Sequence, residues 1–248
     1  MAELLQVQGL GIGWGAQLIQ RDLNFSVQRG EILAIMGSSG CGKSTLMRHL
    51  VGLEQPRQGH VWLDGADIHQ GEESELSQLR RRFGVSFQGG ALWSSMSVGE
   101  NLMLPLRLFA SLSERAMVQI AEFKLALVGL QDCFHQAPAT LSGGMIKRVA
   151  IARSLMLNPE LLCLDEPDSG LDPVNAARLD QLILSLRQDL GTTVILVTHS
   201  VPSVFAVADR ALFLDDRLKT MTAIDTPTQL LTHGTARVRE FLQRGPGA

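Results

Sequence analysis

Cysteine is scarce in this chain, with three in 248 residues. Cys41, Cys133 and Cys163 are odd in number and widely spaced, which excludes a disulfide framework and the paired spacing of a zinc site. A reducing compartment is expected. Long apolar runs are also missing. No window approaches the roughly 20 residues that a membrane-spanning helix needs. Met1-Ala2-Glu3-Leu4-Leu5 has no basic stretch ahead of an apolar one, so no signal peptide is expected. Excess positive charge is absent too. Lys and Arg number 22 against 25 Asp and Glu, a net charge of -3, which argues against nucleic acid as a partner. No internal repeat, coiled coil or low-complexity segment is found. What remains is a chain that is 45% hydrophobic, long enough for one large domain with a subdomain.

The densest motif is Gly37-Ser38-Ser39-Gly40-Cys41-Gly42-Lys43-Ser44-Thr45, which fits G-x-x-x-x-G-K-[ST]. Residues 31–36 before it read as a short buried strand. Residues 45–51 after it have helical apolar spacing. Strand, glycine loop and helix form an anion site, because backbone N–H groups and the helix N-terminus converge on a phosphate. Lys43 would reach the β- and γ-phosphates, and Ser44 would ligate Mg²⁺.

Residues 3–8 and 21–28 read as strands. Between them, Gly9 to Ala16 contains G-x-G-x-x-A, a poor dinucleotide fingerprint because Phe25-Ser26-Val27 favours a strand over a helix. Trp14 in this segment is either core packing or an aromatic platform for a base. Residues 52–59 read as a loop, 60–63 as a strand turning at Asp64-Gly65, and 72–82 as a polar helix with a solvated end at Arg80-Arg81-Arg82. Phe83 to Phe87 is a strand with Gln88 at its C-terminal end, where ligands sit in open α/β sheets.

From about 92 to 157 strand patterns give way to helices, over 98–109, 113–128 and 144–157. Leu141-Ser142-Gly143-Gly144-Met145 is a second turn that opens a helix, with Ser142 as its N-cap and an anion site as a further use. Leu161 to Leu164 is an apolar strand that ends in Asp165-Glu166. Asp165 is placed to hold Mg²⁺ and Glu166 to take a proton from an attacking water. Residues 169–173 form a turn that starts a helix, and residues 193–197 form a buried strand. Among six histidines only His199 also follows a core strand. Residues 210–221 read as a hairpin turning at Asp215-Asp216, 236–243 as a short helix, and 244–248 as a frayed end.

In this order the motifs resemble the nucleotide-binding subunit of an ABC transporter over residues 3–220. The aromatic at Trp14 comes first, then Walker A at 37–45 and Gln88 in the Gln loop. The signature at 141–145, Walker B at 161–166, the Asp loop at 169–172 and the switch histidine His199 follow. The resemblance implies an α/β fold: a P-loop NTPase (RecA-like) core at 1–91 and 158–220 with an antiparallel β subdomain. It also implies an inserted α-helical signature subdomain at 92–157 and a tail at 221–248. Such subunits hydrolyse ATP as head-to-tail dimers. Ser142, Gly143 and Gly144 would serve the γ-phosphate held by the other copy's loop, and Asp172 would bridge the two sites. Glu166 would be the general base, His199 would hold the γ-phosphate and water, and Lys43 would stabilise transferring charge. Gln88 and Asp165 would face Mg²⁺, and Trp14 the base.

A narrower resemblance is to the Mla/Mce-type ATPases, which drive lipid traffic between bacterial membranes. It rests on Phe87-Gln88-Gly89-Gly90-Ala91-Leu92 followed by Val98-Gly99-Glu100-Asn101, on Met145 where most ABC proteins have Gln, and on Arg237 to Leu242. Asp168 and Leu171 depart from that group's usual Asp loop. The resemblance implies an integral membrane permease, a periplasmic MCE-type lipid-binding protein, and a peripheral position on the cytoplasmic face of the inner membrane. Leu92 to Met96 would form part of the groove for the permease, with Trp93 and Met96 either exposed there or packed in the core. Alternatives are the ATPase of a solute importer or small exporter, and a soluble ABC protein acting on ribosomes or DNA.

Overall fold

The computed structural model describes residues 2–15 and 17–244, the side chains of Trp14 and Arg244 excepted. Of the expected frayed end at 244–248, Arg244 is instead the last residue of the terminal helix, while 245–248 and the side-chain role of Trp14 fall outside the described residues. Among the described residues ten strands form two sheets. Six lie in the order β10-β9-β3-β8-β7-β6. The central ones are β3 (Ile32–Gly37), β8 (Thr193–Val197) and β7 (Leu161–Asp165), all wholly buried. They run parallel to each other, to β6 (Phe83–Ser86) and to β9 (Arg210–Asp215). Continuous apolar runs suit this position, because helices and a second sheet cover both faces. Side chains alternate between those faces. Leu161, Cys163, Ile195 and Val197 pack toward α1 (Lys43–Leu50) and the second sheet, whereas Leu162, Leu164, Val194 and Leu196 pack toward the helical side.

The second sheet has the order β2-β1-β4-β5. Its frame is a hairpin of β1 (Glu3–Trp14) and β2 (Gln17–Gln28). Gly9 to Trp14 was expected to separate two shorter strands. It is instead part of β1, and the hairpin absorbs its glycines through register shifts after Val7, Leu10 and Ile12. β4 (Gln58–Leu63) and β5 (Ala66–Asp67) complete the antiparallel layer.

Between β6 and β7 the described residues hold helices and no strand. α3 (Val98–Phe109) starts in a capping box of Ser97 and Glu100, and α4 (Glu114–Leu127) is capped by Ser113. α5 (Gly143–Ser154) begins one residue earlier than the sequence suggested, with Ser142 accepting from the Met145 amide. Buried Asn101 fixes the preceding loop. Its amide nitrogen donates to the carbonyls of Trp93, Met96 and Ser97, and its oxygen accepts from Trp93 N–H. Trp93 is left exposed and Met96 half-buried.

α2 (Glu73–Arg80) is shorter than expected; Arg80 closes it and Arg81 is exposed, but Arg82 is not part of a solvated helix end. Arg82 joins Glu160 and Asp64, and Arg29 in the turn after β2 reaches both of the same carboxylates. The hairpin near the C-terminus also differs. Its turn spans residues 216–219 and β10 (Thr220–Asp225) continues the sheet past the expected end at 221. α6 (Pro173–Leu190), α7 (Val201–Val207), α8 (Pro227–His233) and α9 (Ala236–Arg244) complete the chain.

Candidate functional site

The site is assembled where β3, β7 and β8 end. β3 runs into Gly37, whose φ of +150° is closed to most side chains. A Cβ there would lie 2.5 Å from Leu214 O and 2.8 Å from Cys41 Sγ. At Gly42, with φ +103°, a Cβ would strike Ile19 Cγ2 at 2.7 Å. The backbone thus turns where only glycine fits, and the first turn of α1 receives no side-chain cap. Its amides remain for an anion. Lys43 is 6% exposed, and its Nζ donates to the carbonyls of Gly37 (3.0 Å) and Ser38 (3.1 Å). The ammonium is held across the mouth of the loop. Ser39 and Gly40 are exposed, while Cys41 is buried, and burial raises its thiol pKa. Thr45 accepts from His49 through its carbonyl inside α1.

Ser44 Oγ donates to Asp165 Oδ1 at 2.9 Å. Burial raises the Asp165 pKa, and the Ser44 hydrogen bond only partly offsets it. A cation bound beside it would relieve that cost. The donors here are a hydroxyl and a carboxylate, with the Gln88 amide held beside the next residue, Glu166; all offer oxygen ligands suited to Mg²⁺ sharing a phosphate. Among the described residues no group of three or more His, Cys, Asp or Glu could hold a metal by itself. The donor set therefore fits a cation that arrives with a nucleotide.

Glu166 follows directly. Gln88 Nε2 donates to its Oε2 at 2.9 Å, and His199 Nδ1 lies 3.4 Å from its Oε1. The glutamate has φ +45°, in the left-handed region, and precedes Pro167. Both features disfavour this backbone, at a cost of about 1–3 kcal/mol. Its N–H donates to Val197 O at 2.8 Å on β8. Nearby, the Thr198 hydroxyl faces both carboxylate oxygens of Asp168 at 3.1 Å. A cavity of about 420 Å³ opens beside His199, lined in part by Asp168, Ser169, Asp180 and Ser203.

Lys43, Ser44, Gln88, Asp165, Glu166 and His199, expected from the sequence, thus come together. Ser142 and Gly143 are exposed at the start of α5, and Gly144 packs toward Leu171. Asp172 caps α6, accepting from the Asn175 side-chain amide and from the backbone N–H groups of Asn175 and Val174, and these bonds hold its pKa low. Among the described residues, Ser142 to Gly144 and Asp172 make no hydrogen bond to the cluster around Lys43. Two contributors gave no signal in the sequence. Gln20 is wholly buried, and its Nε2 donates to Cys41 O (2.7 Å) and Asp215 O (3.2 Å), tying β2 and β9 to the phosphate loop. Lys147 reaches from α5 to the backbone carbonyls of Glu166 and Ser169.

A glycine loop on a parallel sheet, a serine–aspartate pair and a glutamate held by Gln and His define a P-loop ATPase. The family profile described as ABC transporter matches residues 20–169. A second profile, for an AAA domain, matches 134–206. The "Intermembrane phospholipid transport system ATP-binding protein MlaF" of Haemophilus influenzae is 39% identical over 240 residues, 97% of this chain and 90% of that protein. The "Probable ribonucleotide transport ATP-binding protein mkl" of Mycobacterium bovis is 38% identical over 98% of this chain and 67% of its own length. Solved folds agree. CbiO1 of Clostridium perfringens, described as part of the ABC transporter complex cbiONQ, superposes with a TM-score of 0.85 at 27% identity, over 98% of this chain and 96% of that one. The dimeric cassette MJ0796, in a post-hydrolysis state bound to ADP and Pi, gives 0.82 at 28%, over 90% of this chain and 99% of that one. The chain belongs to the ABC transporter family, as an ATP-hydrolysing, ATP-binding subunit of a transporter.

Proposed function

We propose that this subunit drives phospholipid transport between bacterial membranes, in the manner of the Mla/Mce type. The supporting observation is 39% identity to MlaF along almost the whole of both chains. The Gln-loop segment that carried part of the narrower resemblance is also tied to the helix of Met145. Arg153 on α5, the helix of Met145, donates to the carbonyls of Gly90 and Ala91 in the Gln-loop segment.

In this reading the subunit is a single ABC ATPase domain, with residues 92–157 as its helical subdomain. The loop amides of residues 37–45 and Lys43 hold the ATP phosphates, and Trp14 stacks on the base. Ser44, Asp165 and Gln88 hold Mg²⁺, which supplies positive charge to the phosphate oxygens. Glu166 takes the proton of the attacking water as the oxygen bonds to the γ-phosphorus and the bond to ADP breaks. His199 orients that water and the γ-phosphate, and Lys43 stabilises charge on the phosphoryl group in flight. A second copy of the chain supplies its Ser142, Gly143 and Gly144, and Asp172 links the two sites.

The remaining partners are an integral membrane permease and a periplasmic MCE-type lipid-binding protein. No helix among the described residues is long and apolar enough to cross a membrane. Attachment to the cytoplasmic face of the inner membrane would therefore run through the permease, with exposed Trp93 at the contact. The name of the 38% identical mkl relative favours a second reading, a ribonucleotide transporter.

A mild-detergent pull-down from native membranes separates the two. Recovery of a permease with an anchored lipid-binding periplasmic protein supports lipid transport. Recovery with a soluble solute-binding protein turns the assignment to an importer. Recovery of ribosomes or DNA would replace both.

A further inference from the structure

Glu166 occupies a backbone conformation that its residue type and the following proline both disfavour. Such a residue stays there only if its neighbours hold it. Its N–H is held by Val197 O. Its carbonyl is held from the other side of the site by Lys147, at 3.4 Å from Nζ. The same ammonium donates to Ser169 O and lies 3.1 Å from Ser169 Oγ, in the turn that leads to Asp172. Lys147 sits in the second turn of α5, five residues beyond Ser142. One cation therefore connects the helix of the signature turn to the backbone of the glutamate and to the Asp loop. Burial lowers the Lys147 pKa, and the carboxylates of Asp168 and Glu166 only partly offset it.

We propose that Lys147 is a positioning residue for ATP hydrolysis: by gripping the Glu166 and Ser169 carbonyls it keeps the Glu166 carboxylate between Gln88 and His199. It does so only while α5 stays docked. The position of the signature helix is thereby read out within the same chain at the base. With the carbonyl released, the peptide joining Glu166 to Pro167 can turn to relieve its strain, and the carboxylate turns with it. This inference rests on Glu166 being the base, as proposed above. It adds a residue that acts through the backbone of Glu166 and Ser169.

The test compares Lys147→Met, Lys147→Arg and Glu166→Gln in the full chain, each measured for ATP binding, ATP turnover and thermal midpoint. Lys147→Met should lose about 10- to 100-fold in kcat while its ATP affinity stays within about twofold of the parent, the pattern of a misplaced catalytic group. Lys147→Arg keeps a cationic donor and should recover most of the loss. Lys147→Met turning over like the parent beside an inactive Glu166→Gln overturns the role of Lys147 alone. A joint fall in ATP affinity and thermal midpoint, unrescued by arginine, also overturns it, because that is the mark of a packing role. Parental turnover by Glu166→Gln would remove the base itself, and the proposal with it.

Discussion

Glu166 concentrates the chemistry in one side chain whose surroundings all act on it. Gln88 donates to one carboxylate oxygen, His199 stands by the other, and the backbone sits at φ +45°. A base needs this restraint, because proton transfer depends on placement before acidity. Glu166→Gln keeps the side-chain shape and removes the proton acceptor. It should lower ATP turnover by about 10²–10³-fold with MgATP binding intact, and should accumulate as an ATP-bound dimer. Single-turnover kinetics with gel filtration in ATP check this, and turnover near the parental rate would exclude the base role. The residues of this cluster were legible because each ends a strand or opens a helix in a run whose spacing is constrained by phosphate geometry. Lys147 and Gln20 were not. Each acts through backbone carbonyls of distant segments, and such a bond leaves no pattern in the sequence around either partner.

At the scale of elements, two joints set how the layers meet. Arg29, Asp64, Arg82 and Glu160 tie the antiparallel sheet to the start of β6 and β7. The arginines hold the Asp64 and Glu160 carboxyls below their ordinary values of 3.8 and 4.5. A carboxylate with a lowered folded pKa stabilises fully above its unfolded value and loses that contribution as pH falls through the folded one. Glu160→Gln should therefore cost about 1 kcal/mol or less near neutrality, since the groups are partly exposed, and the thermal midpoints of variant and parent should converge below about pH 4. A constant offset down to pH 3 would remove the network from the account.

The second joint is Arg237 on α9, which pairs with Asp215 and Asp216. Asp215 O also receives Gln20 Nε2, whose other bond is to Cys41 O in the phosphate loop. Arg237→Met should weaken ATP binding by about 3- to 10-fold, on the order of 1 kcal/mol for a lost charged hydrogen bond, with kcat at saturating ATP nearly unchanged. Equilibrium nucleotide titration decides it, and unchanged affinity would confine α9 to packing. The sequence marked α9 as a helix but left α7 and α8 unmarked, because each is a seven-residue element with Pro at its start. Segments that short carry too few apolar positions to show a period. The Gly9 to Trp14 stretch misled for the opposite reason. Its glycines signal a loop locally, and only the pairing of β1 with β2 and β4 overrides them.

For the whole molecule, the informative feature is a division of parts. Lys43, Ser44, Asp165, Glu166 and His199 converge, whereas Ser142 and Gly143 stand exposed at the start of another helix. In the head-to-tail reading each complete site takes its loop from one copy and its signature turn from the other. Ser142→Arg should then bind ATP through its own loop and fail to hydrolyse it, and Lys43→Ala should fail at the loop. Mixed together, the two inactive variants form heterodimers in which the intact loop of the first meets the intact turn of the second. With random pairing half of the dimers carry one restored site. ATP turnover in the mixture should rise above that of either variant alone, peak near equal proportions, and vanish on dilution below the dimerisation range. A mixture as inactive as its parents at every ratio would contradict the shared site. A Ser142→Arg chain that hydrolyses ATP alone would show that its own residues suffice.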